Sequence, residues 1–171
     1  MAAFADVSPR TFSRYFATKD AVVLAFIDDV TDIVAIELAQ QPPDMNHLDA
    51  LYRAHIRAFL GTKTAPASGM TSERLLACAR IVNSSPTLRL AAVEFRRDSV
   101  NVALAKRMGV AGDDPRLRLV GSIFGTIIMT ALGDLSGTTD WDALTVDDIV
   151  ARLDATYAQF VDVVASVRQP G

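Results

Sequence analysis

Apolar residues recur every three to four positions through most of this chain, and each such run is opened by a capping residue and closed by a breaker. That pattern is the period of an α-helix and is incompatible with a strand, where facing positions alternate every second residue. The first long run begins at Thr18 and continues to about Gln40, with Val22, Val23, Phe26, Ile27, Val30, Ile33, Val34 and Leu38 on one stripe. Pro42-Pro43 stops it, because proline has no N–H to give and clashes with the preceding turn. A second stripe holds Leu48, Leu51, Tyr52, His55, Ile56, Phe59 and Leu60. Gly61 to Gly69 is a loop of small residues. Ser72 is the expected cap of a shorter helix carrying Leu75, Leu76, Ala79 and Val82.

Two further starts pair a cap with a proline at the first helical position: Ser85-Pro86 and Asp114-Pro115. The first opens one helix expected to run to Gly109, carrying Leu88, Ala92, Phe95, Val102, Ala105 and Met108. The second carries Leu117, Val120, Phe124, Ile127, Ile128, Ala131 and Leu135. Ser136 to Leu144 reads as a loop. Thr145, with Asp148 three residues later, forms a capping-box start for a last helix bearing Ile149, Val150, Leu153, Tyr157, Phe160, Val161, Val164 and Val167. No strand pattern of useful length and no internal repeat interrupts this. The expected fold class is all-α.

The beginning of the chain, MAAFADVSPRTFSRYFATKD, has a different character. Ala2, Ala3 and Phe4 read as the last turn of one helix, and Asp6-Val7 as a tight turn. Ser8 and Pro9 open a short helix from Arg10 to Phe16. Thr18 then caps the long helix, with Asp20 in its first turn, where the helix dipole favours an anion. Phe12 and Phe16 share one face of the short helix, and Arg10, Thr11, Ser13, Arg14 and Tyr15 occupy the rest. A short helix anchored by two aromatics and showing hydroxyls and guanidinium groups outward suits the major groove of DNA.

This segment resembles the tetracycline-repressor (TetR) family of bacterial transcription regulators. The resemblance is carried by Ala2-Ala3, by Val7-Ser8-Pro9-Arg10-Thr11-Phe12, by Arg14-Tyr15-Phe16 and by Thr18-Lys19-Asp20. The family places Gly where this chain has Asp6, a residue that also tolerates a left-handed turn. The resemblance implies an N-terminal helix-turn-helix followed by a helical bundle. It also implies a first helix and the first half of a second that do not precede Ala2 here, so the helix-turn-helix is expected to be partial. Residues 1–38 are read as this partial DNA-binding region running into the connecting helix, and residues 39–171 as a ligand-binding and dimerisation domain.

Transferred residue by residue, the resemblance assigns double-stranded operator DNA to Ser8, Arg10, Thr11, Arg14, Tyr15 and Lys19. Arg10 and Thr11 lie where base edges are reached; Tyr15 and Lys19 are expected on phosphate. It also implies a pocket for a small, mostly apolar effector in the helical body, with His55, Phe59, Leu75, Cys78, Val82, Phe95, Val102 and Phe124 as candidate lining. The last two long helices are apolar around much of their circumference, which marks an interface. There the resemblance implies a homodimer pairing through Val120, Gly121, Phe124, Gly125, Ile128, Leu132, Leu153, Tyr157, Phe160 and Val164. The expected function is a ligand-responsive repressor. The alternative is a truncated ligand-binding or dimerising protein that does not bind DNA.

Charge agrees with a local DNA-reading end. Residues 1–20 hold three bases against two acids, net +1, whereas the remaining 14 bases and 18 acids leave −4 in the body. An acidic body argues against nucleic acid along its length. One cysteine, Cys78, excludes an internal disulfide and fits a reducing cytoplasm. No run of 18 apolar residues and no basic-then-apolar leader is evident, so neither a membrane span nor a signal peptide is expected. His55 and Cys78 lack an orienting partner for catalysis, and no enzyme is expected. The carboxylate pairs Asp28/Asp32 and Asp147/Asp148 are expected to be solvated and to hold no metal, and no cofactor is expected.

Overall fold

A computed structural model describes residues 19–94, 98–133, 135 and 140–167 of the chain. The helix-turn-helix residues Ser8, Arg10, Thr11, Arg14 and Tyr15 lie outside the described residues, as do Phe95 and the side chain of Lys19. The described residues form seven helices and no strand: α1 (Lys19–Ala39), α2 (His47–Gly61), α3 (Ser72–Asn83), α4 (Pro86–Glu94), α5 (Asp98–Met108), α6 (Pro115–Gly133) and α7 (Val146–Val167). The protein is all-helical.

Each start has a local cause. Asn46 caps α2 by accepting from the Asp49 N–H at 2.8 Å. Thr71 caps α3, accepting from Arg74 N–H at 3.4 Å; Ser72, the expected cap, is instead the first helical residue. Ser85 Oγ accepts from Leu88 N–H at 3.1 Å ahead of Pro86. Thr145 and Asp148 form the reciprocal box: Thr145 N–H donates to Asp148 at 2.9 Å and Asp148 N–H to Thr145 Oγ1 at 3.2 Å. At the far end of α5, Gly109 takes a φ of +65°. Its N–H reaches Lys106 and that of Val110 reaches Ala105, which satisfies two orphan carbonyls of the last turn.

The core centres on α2, α6 and α7, with α1 laid against α2 and α5. Val34, Leu38, Leu104, Ile149 and Leu153 are all but fully buried. Ala50, Ala54 and Ala58 form a small-residue face on α2 and are buried as well, so neighbours approach its backbone closely. Helix α2 is bound to α7 by a reciprocal pair of contacts. The Tyr52 and Tyr157 rings stack with centroids 4.3 Å apart. The Tyr52 hydroxyl donates to Asp154 at 2.7 Å, and the Tyr157 hydroxyl donates to Asp49 at 2.6 Å. Burial and the neighbouring carboxylate push the Tyr52 hydroxyl up to about 12. The same causes raise Tyr157.

Within the stretch expected as one helix from Pro86 to Gly109, the described residues form α4 and α5. On α5 the expectation for Val102 is corrected: Val100 and Leu104 face the core, and Val102 is 70% exposed. Of the expected dimer residues, Phe124, Ile128, Leu153 and Tyr157 are buried within the chain, because α6 and α7 turn those faces toward α2. They cannot meet a partner without opening the core. Val120, Gly121, Gly125, Leu132, Phe160 and Val164 are half-buried. Finally, one described helix, Pro115–Gly133, is long and apolar enough to cross a membrane by length and composition. Its residues Leu117, Phe124, Ile127, Ile128 and Ala131 are buried in the bundle.

The end of α1 is held by a single side chain. Arg107, on the last turn of α5, donates to the carbonyls of Gln41 at 3.1 Å and Met45 at 2.7 Å, and also to that of Pro42. The turn between α1 and α2 has no helix to satisfy these carbonyls, and a planar guanidinium can reach all three at once. Arg107→Met is expected to lower unfolding free energy by roughly 2 kcal/mol, and Arg107→Lys should recover little of it. Urea unfolding of the two variants checks this.

Candidate functional site

Upstream of Thr31, α1 leaves the close packing seen around Val34 and Leu38, and a cavity of about 110 Å³ opens beneath it. Helix α1 contributes Ile27, Val30 and Thr31; α2 contributes His55 and Phe59. Helix α3 forms one wall with Leu75, Cys78, Ala79, Val82 and Asn83, and Ala92 of α4 closes beside it. Ile128, Met129 and Leu132 of α6 and Ile149 of α7 complete the lining. No Asp, Glu, Lys or Arg is among these residues. The size is similar to that of the engineered cavity of roughly 150 Å³ that takes up benzene.

The polar groups of the wall are few. Thr31 Oγ1 donates to the Asp28 carbonyl at 2.9 Å, within its own helix. His55 Nδ1 lies 2.8 Å from the Leu51 carbonyl, which can only accept, so Nδ1 carries the proton. The His55 ring is held between Phe59, at 6.0 Å edge-on, and Phe124, at 4.7 Å. Cys78 is a free, buried thiol. Burial raises its pKa to about 11, so it remains protonated and is a poor nucleophile at neutral pH. Asn83 Nδ2 donates to the Ala79 carbonyl at 2.9 Å, which fixes the amide orientation. The Asn83 Oδ1 is buried and has no hydrogen-bond partner.

The structure brings together five of the eight residues expected to line a pocket: His55, Phe59, Leu75, Cys78 and Val82. Phe124 stands one layer behind His55. Phe95 lies outside the described residues. Val102 is at the surface and does not line the cavity, because Val100 and Leu104 take the inward face of α5. Ile128 and Leu132, expected on a dimer face, line the cavity instead. Asn83, Thr31 and Met129 were not among the expected residues. Asn83 had a readable signal: it stands four residues after Ala79 and eight after Leu75, on the stripe that faces inward.

Of the two acidic pairs, Asp147/Asp148 has other partners. Asp147 accepts both 2.9 and 3.0 Å bonds from Lys63 Nζ, and Asp148 serves the α7 cap. Among the described residues no group of three or more His, Cys, Asp or Glu is placed to hold a metal.

An all-helical bundle entered by one long helix, with an apolar cavity under that helix, is consistent with the body of a TetR-like helix-turn-helix regulator. It is 32% identical over 149 residues to the HTH-type transcriptional regulator TcmR of Streptomyces glaucescens, across 82% of this chain. The chain spans 65% of the length of that relative. No protein-family model matches the chain.

Cys78 provides a direct check on cavity burial. At pH 8 its alkylation by iodoacetamide should be on the order of 100-fold slower in the folded chain than in urea. The sign follows for stability too. The folded thiol has the higher pKa, so the unfolded chain ionises first. The contribution of Cys78 to stability is therefore complete below about pH 8.5 and is lost as pH rises toward about 11. Urea titrations at pH 8, 9 and 10 should show less of this loss in Cys78→Ala.

Proposed function

We propose that this protein is a ligand-responsive transcriptional repressor that binds operator DNA as a homodimer in the cytoplasm and is released by a small, mostly apolar effector. The observation that carries the proposal is the position of the cavity. It lies under Ile27, Val30 and Thr31, on the helix that leads directly from the DNA-reading segment. The far half of that helix is fixed by Val34, Leu38 and the Arg107 contacts. A ligand that fills the cavity bears on the half nearest the reader.

In this reading residues 1–38 are the DNA-binding region and its connecting helix, and residues 39–171 the ligand-binding and dimerisation body. Ser8, Arg10, Thr11, Arg14, Tyr15 and Lys19 contact DNA, with Arg10 and Thr11 on base edges and Tyr15 and Lys19 on phosphate. A two-fold dimer sets two such helices on half-sites about one DNA turn apart. The effector binds more tightly to a state with the wrong spacing and so shifts the population away from DNA. The outward faces of α6 and α7 are the surfaces for pairing. They expose Leu119, Ser122 and Thr126 on one helix and Ala155, Ala158 and Val161 on the other, a set small enough for close helix contact. The reaction requires no catalytic group, metal or cofactor.

Two measurements test this. Sedimentation equilibrium should give twice the chain mass of 18.4 kDa, and Ala155→Arg should halve it while leaving the circular dichroism helical. A monomer at micromolar concentration would count against the dimer. Selection from random duplexes should then return a two-fold symmetric site. Arg10→Ala should cost about 1–3 kcal/mol and relax one position of that site, whereas Lys19→Ala should weaken all sequences alike. Enrichment of no symmetric sequence would overturn the DNA-binding reading.

A further inference from the structure

The described lining of the cavity is mostly apolar, and one of its polar atoms stands out. Asn83 is 9% exposed, sits on the α3 wall, and donates through Nδ2 to the Ala79 carbonyl. Its Oδ1 accepts from nothing. A buried carbonyl without a donor is costly, and natural interiors seldom leave one unless something else supplies the donor. The amide cannot relieve itself by flipping, because Nδ2 would then be taken from the Ala79 carbonyl and an oxygen would face an oxygen. The acceptor is therefore fixed in place at the wall of an otherwise dry chamber.

The remainder of the lining determines charge and size. Among the described residues of the wall there is no Lys or Arg, so a carboxylate or phosphate would lose its hydration and meet no cation from them. Among the same residues there is no Asp or Glu to serve as counter-ion to an ammonium group. Ile27, Val30, Leu75, Val82 and Ile128 surround the space with branched aliphatic groups, and His55 and Phe59 add ring faces.

We propose that the ligand of this cavity is a compact, neutral ring compound that donates one hydrogen bond to Asn83 Oδ1. This rests on the reading of the cavity as the effector site and adds its chemical class. Asn83 thereby determines specificity: it separates a ring bearing an N–H or O–H from the same ring without one.

The test uses three probes of nearly one shape, titrated calorimetrically into the full chain: indole, indene and indole-2-carboxylate. Indene is the more apolar of the first two, so simple partitioning into a greasy space would favour it. The proposal requires the reverse, with indole bound at least tenfold more tightly than indene. The carboxylate should bind at least tenfold more weakly than indole. In Asn83→Leu the indole preference should vanish and indene should bind no worse than before. The probe comparison in the unsubstituted chain stands whether or not that variant folds.

Equal affinities for indole and indene, or an indole preference that survives Asn83→Leu, would overturn the acceptor role. Tight binding of the carboxylate would overturn the neutral class, and no binding of any probe would overturn the compact-ring class. A separate variant tests the underlying reading: Val82→Phe fills the space and should abolish binding of both neutral rings. Binding unchanged in a folded Val82→Phe protein would show that the ligand site lies elsewhere.

Discussion

The burial of Val34 and Leu38 is the constraint from which the rest of the molecule follows. These two residues press the second half of α1 against the bundle, and Arg107 holds the turn immediately beyond. A helix is stiff over this length, so fixing one half determines the line of the other. The first half then runs over a gap, because the side chains beneath it do not fill the volume. The cavity is in this sense a consequence of geometry: one end of a rod is seated, and the other is held off the surface by the walls of α3 and α6.

Packing at close to crystalline density is normal for protein interiors. A chamber bounded by Ile, Val, Leu and Phe is therefore unusual enough to require an explanation, and its location supplies one. The half of α1 that carries Val34 and Leu38 is fully packed, and the half that carries Ile27, Val30 and Thr31 roofs the cavity.

Helix positions were legible in the sequence because they depend on local chemistry. Caps at Ser85 and Thr145 and breakers at Pro42-Pro43 and Gly109 act within a few residues of themselves, so a linear reading finds them. The inward face of α5 was not legible: Val100 and Leu104, rather than Val102, meet the core there. Which of the apolar residues of α6 and α7 face α2 was not legible either: Phe124 meets His55, and Tyr157 meets Tyr52. That is a property of two distant segments together. The cavity residues on α2 and α3 were legible as stripes, whereas the bare acceptor of Asn83 depends on which amide atom Ala79 engages, and no sequence carries that.

The reciprocal tyrosine–aspartate contacts between α2 and α7 have a mechanical meaning. The two helices run antiparallel there, and each supplies a carboxylate and a phenol three residues apart. Sliding one helix by a turn, about 5.4 Å, would set phenol against the wrong neighbour at both ends and separate the stacked rings together. The pair therefore has one register and no adjacent alternative. The floor of the chamber and the outer helix beyond it move as a single body, like two planks pinned at two points.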